Sequence, residues 1–581
     1  MSQLQIHQKT ILSLFQEDKN VFLIPDYQRP YAWGYEECSA LWDDLFGFAF
    51  PEGNPDTFND EDKYFLGPIV TFKNDEQKLE VIDGQQRLTT LMLLLRAFYN
   101  KLLDMKGKRP EATRDNITQC IWKTNRYDEV ENIADLRIDS QVATDNDKEE
   151  FLDILITGKT ENKKSRYATN FNFFTSKIEE FLATYAIYFI HLPSVILKNC
   201  ILLPIEAESQ DTALRIFSTL NDRGKPLSDA DIFKAQFYKY YTSLGRKDEF
   251  INTWRNLEET TSNIFRPASG TPLDELFIRY MYYERAKKGI VSSTTEALRK
   301  FYEKDNYKLL KNEETLQNLV CLADFWESVS KQDAERFSAR ILKRLFVLNY
   351  APNNMWANIV SVYFMHKKDA DGNLPEDEFY AFLNKITAFI WAYAITNPGV
   401  NSLRTPVYTE MVNIVKDNPV TFSGKAFDEN QFRALFTNYE FSNARPITKS
   451  ILTWWAFTFE QQELLDTSLD IEHIYSRSRQ NKERGLDSGM LESLGNKSLL
   501  EHNINIRASD YRFIDKVSYY KGLVSSKGER KATKIRELQQ LADSHRDFTG
   551  SDITQRAELM LDCFVEYLRS NDLLQNNLLN L

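Results

Sequence analysis

Near the C-terminal end, Glu472 and His473 place an acid directly before an imidazole in the β-like run Asp470-Ile471-Glu472-His473-Ile474. Two amides follow, Asn496 and, nine residues on, Asn505. Hydrolysing a phosphodiester takes a base to remove a proton from water and a divalent cation, Mg²⁺ or Mn²⁺, to stabilise charge on the phosphate and leaving oxygen. His473 supplies the first. Glu472 with Asn505 suffices for the second, because Mg²⁺ keeps several waters and takes only one or two carboxylates. Successive strand residues face opposite sides, so Glu472 and His473 serve one site only where the strand ends or bulges. An isolated Glu-His pair is ordinarily a polar surface feature, and the downstream amides lift the pattern above that.

Residues 507–536 hold nine bases (Arg507, Arg512, Lys516, Lys521, Lys527, Arg530, Lys531, Lys534, Arg536) against three acids. That local excess is expected to meet a phosphate backbone, with Arg507, Arg512, Lys516 and Lys521 as candidate DNA contacts, although the chain carries a net charge of −12. A second constellation lies at Asp83-Gly84-Gln85-Gln86-Arg87, between the strand-like Lys78–Ile82 and a helix with apolar residues at Leu88, Leu91, Met92, Leu95, Phe98 and Tyr99. A glycine turn entering a helix offers N–H groups to an anion, and Arg87 can fork onto phosphate oxygens. Local chemistry alone favours the plainer reading, in which Asp83 caps the helix and Gln85, Gln86 and Arg87 are solvated. Neither a P-loop nor a GxGxxG is present, so a nucleotide site here is of another kind.

These groups need several domains to position them, because 581 residues exceed one ordinary core. With 42% apolar and 27% charged residues the composition is that of a folded globular chain. No run reaches the roughly 18 apolar residues of a membrane span, and a soluble cytoplasmic protein is expected. Five scattered cysteines without a CxxC pair argue against a zinc site or disulfide framework. Residues 1–240 read as an α/β domain with strands near Tyr64–Phe72, Lys78–Ile82 and Cys200–Ile205, and with Lys101–Lys164 as an insertion or loosely packed helical lobe. Residues 241–440 read as a helical spacer or arm, broken by turns at Ala351–Asn354 and Asp371–Asn373. Residues 441–581 read as a small ββα unit, with strand-like pieces at Ser468–Tyr475 and Leu494–Leu500. The fold class is α+β and predominantly helical.

The Glu-His pair, Gly495-Asn496-x-x-Leu499-Leu500 and the later Asn505 together resemble the HNH (ββα-metal) nuclease motif, as carried by GmrSD-type restriction endonucleases. Carried over by position, His473 is the general base, Glu472 and Asn505 are metal ligands, and Asn496 braces the loop. Phe513 and Lys516 match the Phe and Lys that follow in the family. Tyr475-Ser476 departs from the usual hydrophobic-Pro and weakens the match in the loop, and Asn505 is preferred to His502 by spacing. At the other end, Ile24–Trp33, Asp83–Thr90 and Ile216–Ser228 resemble the ParB-like domain of the same family. Asn221 to Gly224 also reads as a turn before a helix capped by Ser228 and Asp231.

The resemblance implies that Asp83, Gly84, Gln85, Gln86 and Arg87, with Gln28 and Arg29 in the same cleft, bind or hydrolyse a nucleoside triphosphate (GTP, ATP or CTP). It implies a modification-dependent, type IV restriction endonuclease of anti-phage defence, acting on modified phage DNA, with a homodimer as a candidate assembly. Three other readings stay open: a nucleotide-dependent DNA-binding regulator with an inactive HNH site, an RNase toxin, and a scaffold in a defence complex.

Overall fold

The computed structural model describes residues 8–575, apart from 17–19, 75, 143–144, 210–211, 214–215, 217–227, 466–467, 487 and 524–530. Most of the motif at 216–228 therefore lies outside the described residues. The chain is α+β and predominantly helical, and it divides into two compact units, residues 1–256 and 257–581.

The first unit is organised by a six-stranded mixed sheet. Its strands are β1 (Lys9–Thr10), β2 (Phe22–Ile24), β3 (Tyr64–Lys73), β4 (Leu79–Asp83), β5 (Ile138–Ser140) and β6 (Cys200–Ala207), in the order β1-β6-β3-β4-β2-β5. β3 runs parallel to β6 and antiparallel to β4, while β2 runs parallel to both β4 and β5. The three long strands coincide with the β-rich runs read from sequence. The expected insertion at Lys101–Lys164 is instead built in. Its β5 extends the sheet edge, and Ile117, Cys120, Ile121, Phe151, Ile154 and Leu155 are buried in the main core.

The helix Gln85–Leu102 buries Leu88, Leu91, Met92, Leu95 and Phe98, each at most 2% exposed, as its apolar spacing requires. Removing one such side chain from water is worth about 1.5–3 kcal/mol. Ser228 opens the helix Asp229–Ser243 with a capping box to Asp231, as read from sequence. Among the described residues no single helix is long and apolar enough to cross a membrane.

The second unit is helical around a small hairpin. Helices Pro272–Lys287, Met355–Lys367 and Val400–Val415 pack together, the first opened by a Thr271–Asp274 capping box with Pro272 in its first turn. Helices Ala339–Leu348 and Glu376–Thr396 pack on Pro446–Ala456, and the long Gly550–Ser570 packs on Glu376–Thr396, so the middle of the chain shares this unit with the C-terminal region. The hairpin is β7 (Leu469–His473) antiparallel to β8 (Lys497–Glu501), in the register Asp470↔Leu500, Glu472↔Ser498 and His473↔Lys497. The helix His502–Ala508 follows directly and contacts both strands.

Candidate functional site: the β7–β8 hairpin and the DGQQR turn

β7 ends at His473, and the backbone beyond it is held by one side chain. Asn496 is fully buried. Its Oδ1 accepts from the Tyr475 N–H at 2.7 Å, and its Nδ2 donates to the Tyr475 carbonyl at 3.0 Å and the Leu491 carbonyl at 2.9 Å. The loop carrying Asn496 is clamped from behind. Arg556 donates through Nη1 to the carbonyls of Leu494, Gly495 and Lys497, and through Nε and Nη2 to Glu537 at 2.6 and 2.9 Å. A Cβ on Gly495 would lie 2.0 Å from the Ile553 carbonyl oxygen, so the helix Gly550–Ser570 closes on this loop only over glycine. Ser476, the departure noted in the sequence, caps the helix Arg477–Glu483 through the Arg479 N–H.

His473 and Glu472 look to different partners, as strand alternation dictates. Glu472 is 4% exposed, and its Oε1 takes the Lys516 ammonium and the Tyr520 hydroxyl, each at 2.7 Å. Burial raises its pKa against the pull of Lys516. Lys516 also donates to the His473 carbonyl at 2.6 Å. Expected among the phosphate contacts, Lys516 is 1% exposed and serves as an internal tie between Glu472 and the strand end.

The His473 ring meets Glu492, its Nε2 standing 3.3 Å from Oε2, and burial is the main influence lowering its pKa. Glu492 also receives Lys497 Nζ at 2.8 Å on Oε2 and Arg477 Nη2 at 2.8 Å on Oε1. Burial alone would raise Glu492, but Lys497, Arg477 and His473 outweigh it and bring the carboxyl down to about 2.

Asn505 is directed to Asp470, not to Glu472. Its Nδ2 donates to Asp470 Oδ2 at 3.2 Å, and His502 Nδ1 meets the same oxygen at 2.8 Å. Asp470 and His502 are 35% and 52% exposed. Among the described residues no three His, Cys, Asp or Glu side chains form a cage for a metal. A hydrated divalent cation does not need one. Its requirements are poorly met by Glu472, buried under an ammonium, and better met by the open trio Asp470, Asn505 and His502. Asp470 escaped notice in the sequence, yet it sits two residues before Glu472 on the same strand face. Glu492 carried no sequence signal. Of the remaining surface bases, Arg507 is exposed, Arg512 pairs with Glu483, and Lys521 pairs with Asp543 at 2.7 Å.

In the first unit, Gly84 adopts φ +92° at the head of Gln85–Leu102, a left-handed conformation that costs glycine little. Gln28 and Gln86 brace backbone, and Gln85 braces Gln28. Gln28 Nε2 donates to the Val81 and Ile82 carbonyls, and Gln85 Nε2 donates to Gln28 Oε1. Gln86 accepts from the Ala32 N–H at 2.7 Å and donates to the Pro30 carbonyl. All three are at most 7% exposed. Arg87 donates to the Pro68 carbonyl at 2.8 Å. Burial raises the Asp83 pKa, opposed by the Gly84 N–H, Arg87 and Arg29. A cavity of about 410 Å³ opens beside Arg29, lined also by Tyr31, Asp145, Asp147, Arg166 and Tyr167.

A hairpin ending in a histidine, closed by an amide brace and backed by a helix that presents an asparagine, is an arrangement suited to cutting phosphodiesters. Comparison with known families agrees with that class. Residues 11–238 match the GmrSD restriction endonuclease N-terminal domain, and residues 427–563 match the GmrSD restriction endonuclease C-terminal domain. The chain belongs to the GmrSD restriction endonuclease family, whose substrate is DNA. A comparison with curated proteins finds no match.

Proposed function

We propose that the second unit cuts DNA as an HNH-type, metal-dependent phosphodiesterase, and that a ParB-like first unit binds a nucleoside triphosphate and governs it. The observation that carries this reading is the Asn496 brace, which fixes the backbone just beyond His473 through three hydrogen bonds. His473, kept neutral by burial, takes the proton from the attacking water. Asp470 and Asn505, with His502 beside them, would hold Mg²⁺ or Mn²⁺, which supplies charge stabilisation to the phosphate when bound. Asp470 and the His473 ring stand on opposite faces of β7, so this reading requires one phosphate to reach both around the strand end at His473. Arg507 offers a phosphate contact at the helix that follows β8. Glu472 and Lys516 keep the strand end in place.

In the first unit, the cavity beside Arg29 is the candidate nucleotide site, because its volume falls in the range of ligand pockets and two arginines border it. Asp83 and Arg87 do not line this cavity, and Gln28, Gln85 and Gln86 hold the scaffold beside it. Nucleotide control fits a nuclease that must spare its host, and modified phage DNA is the substrate class that the family reading favours. The test is Mg²⁺-dependent cleavage of modified and unmodified phage DNA, with and without GTP, ATP or CTP, by wild type and Arg29→Ala. Nucleotide-dependent cutting of modified DNA that Arg29→Ala uncouples supports the proposal. Cleavage indifferent to nucleotide and to modification overturns the control half of it, and cleavage of RNA alone overturns the substrate.

A further inference from the structure

We infer that Glu492 is a positioning residue for His473, fixing the proton on its Nε2 and leaving Nδ1 as the basic nitrogen. The inference rests on the reading of His473 as the base.

A neutral imidazole acts as a base through one ring nitrogen only, and a hydrogen-bonding partner on the other decides which. Glu492 Oε2 lies 3.3 Å from His473 Nε2. A partly exposed carboxylate would ordinarily be a mobile partner of little weight. This one is anchored at both oxygens by cations from two other elements. Lys497, the first residue of β8 and the cross-strand neighbour of His473, reaches Oε2 at 2.8 Å. Arg477, in the helix after β7, reaches Oε1 through Nη2 at 2.8 Å and Nε at 3.2 Å.

Lys497 is itself rigid. Its side chain is wholly buried and donates a second bond to the Phe441 carbonyl at 2.8 Å. A buried ammonium requires a counter-charge, so Lys497 and Glu492 hold one another in place. The histidine ring is 11% exposed and has little room to turn. The arrangement thus places a fixed carboxylate, supported by two cations, on one nitrogen of the candidate base. Removing such supporting partners elsewhere typically costs 10–100-fold in activity.

The experiment uses the full-length protein and reads two independent quantities. The ¹⁵N chemical shifts of the His473 ring report its tautomer without reference to activity. Steady-state cleavage of phage DNA in Mg²⁺ separates kcat from KM. Glu492→Ala is expected to lose the Nε2–H preference and to lower kcat about 10–100-fold with KM changed less than about threefold. Glu492→Gln, which keeps an acceptor oxygen, is expected to retain more of both. Should Glu492→Ala fail to fold because it strands Lys497, the pair Glu492→Ala with Lys497→Met removes the stranded charge and is read in the same way. An unchanged tautomer and unchanged kcat overturn the inference. So does a fall in KM with a rise in kcat, which would make Glu492 a plug in the place of the substrate phosphate. If wild type does not cleave DNA at all, the nuclease proposal fails, while the tautomer still decides the role of Glu492.

Discussion

Replacing Asn496 by alanine removes the brace behind His473, and the structure sets the size of the effect. Three backbone groups lose their partner at once: the buried Tyr475 N–H and carbonyl and the half-buried Leu491 carbonyl. A buried polar group left unpaired costs about 1–3 kcal/mol, and neighbouring losses add incompletely, so the total is about 3–5 kcal/mol. At about 2 °C per kcal/mol for a large domain, the melting temperature should fall by about 6–10 °C. Asn496→Asp makes a sharper comparison. It keeps the acceptor for Tyr475 N–H but turns a carboxylate oxygen toward two carbonyl oxygens, and should destabilise at least as much. Asn503→Ala, at an exposed position of the following helix, should stay within about 0.5 kcal/mol of wild type. The assay is thermal unfolding followed by calorimetry, with DNA cleavage measured well below the transition, where Asn496→Ala should still cut poorly because the strand end is loose. Equal melting temperatures for Asn496→Ala and Asn503→Ala would refute the reasoning.

Further outcomes follow from the same geometry. Asp470→Asn should raise the Mg²⁺ concentration for half-maximal cleavage more than Glu472→Gln does, whereas Glu472→Gln should chiefly lower stability by leaving Lys516 unpaired; the reverse order in a Mg²⁺ titration would return the metal to Glu472. Arg556→Leu should destabilise by about 3–5 kcal/mol, because it leaves Glu537 as a buried unpaired charge, and adding Glu537→Leu should recover part of that in a double-mutant cycle. The Glu492 carboxyl is held at about 2 against an unfolded value of about 4.3. Its depressed value adds stability that is fully present above about pH 5 and lost as pH falls toward 2. Melting temperatures of Glu492→Gln should therefore fall less steeply than those of wild type across that window.

The sequence made the long strands legible because β-branched runs bounded by turn residues are long enough to show themselves. β1, β2 and β5 are two or three residues each and have no room for alternation, so they carry no strand signal, and β5 falls inside the stretch expected to be an insertion or a helical lobe. The brace was legible only through the resemblance, which rests on Gly495-Asn496-x-x-Leu499-Leu500 and Asn505 after the Glu-His pair. What one-dimensional reading missed are partners chosen by packing. Lys516 counted as one base in a basic stretch, yet the helix Phe513–Tyr520 buries it against Glu472. Gln28 and Gln86 carry ligand-like chemistry but use it on backbone groups, and Gln85 uses its own on the Gln28 side chain. Glu492 reaches His473 through a loop whose course no local pattern dictates.

The central claim, that this family member cuts DNA from a centre at His473, is tested most directly by incubating purified wild type and His473→Ala with phage DNA and Mg²⁺ and following cleavage by gel electrophoresis. Wild type should cut in a Mg²⁺-dependent manner, and His473→Ala, matched in melting temperature, should not. Equal cutting by both proteins would contradict the assignment of the base.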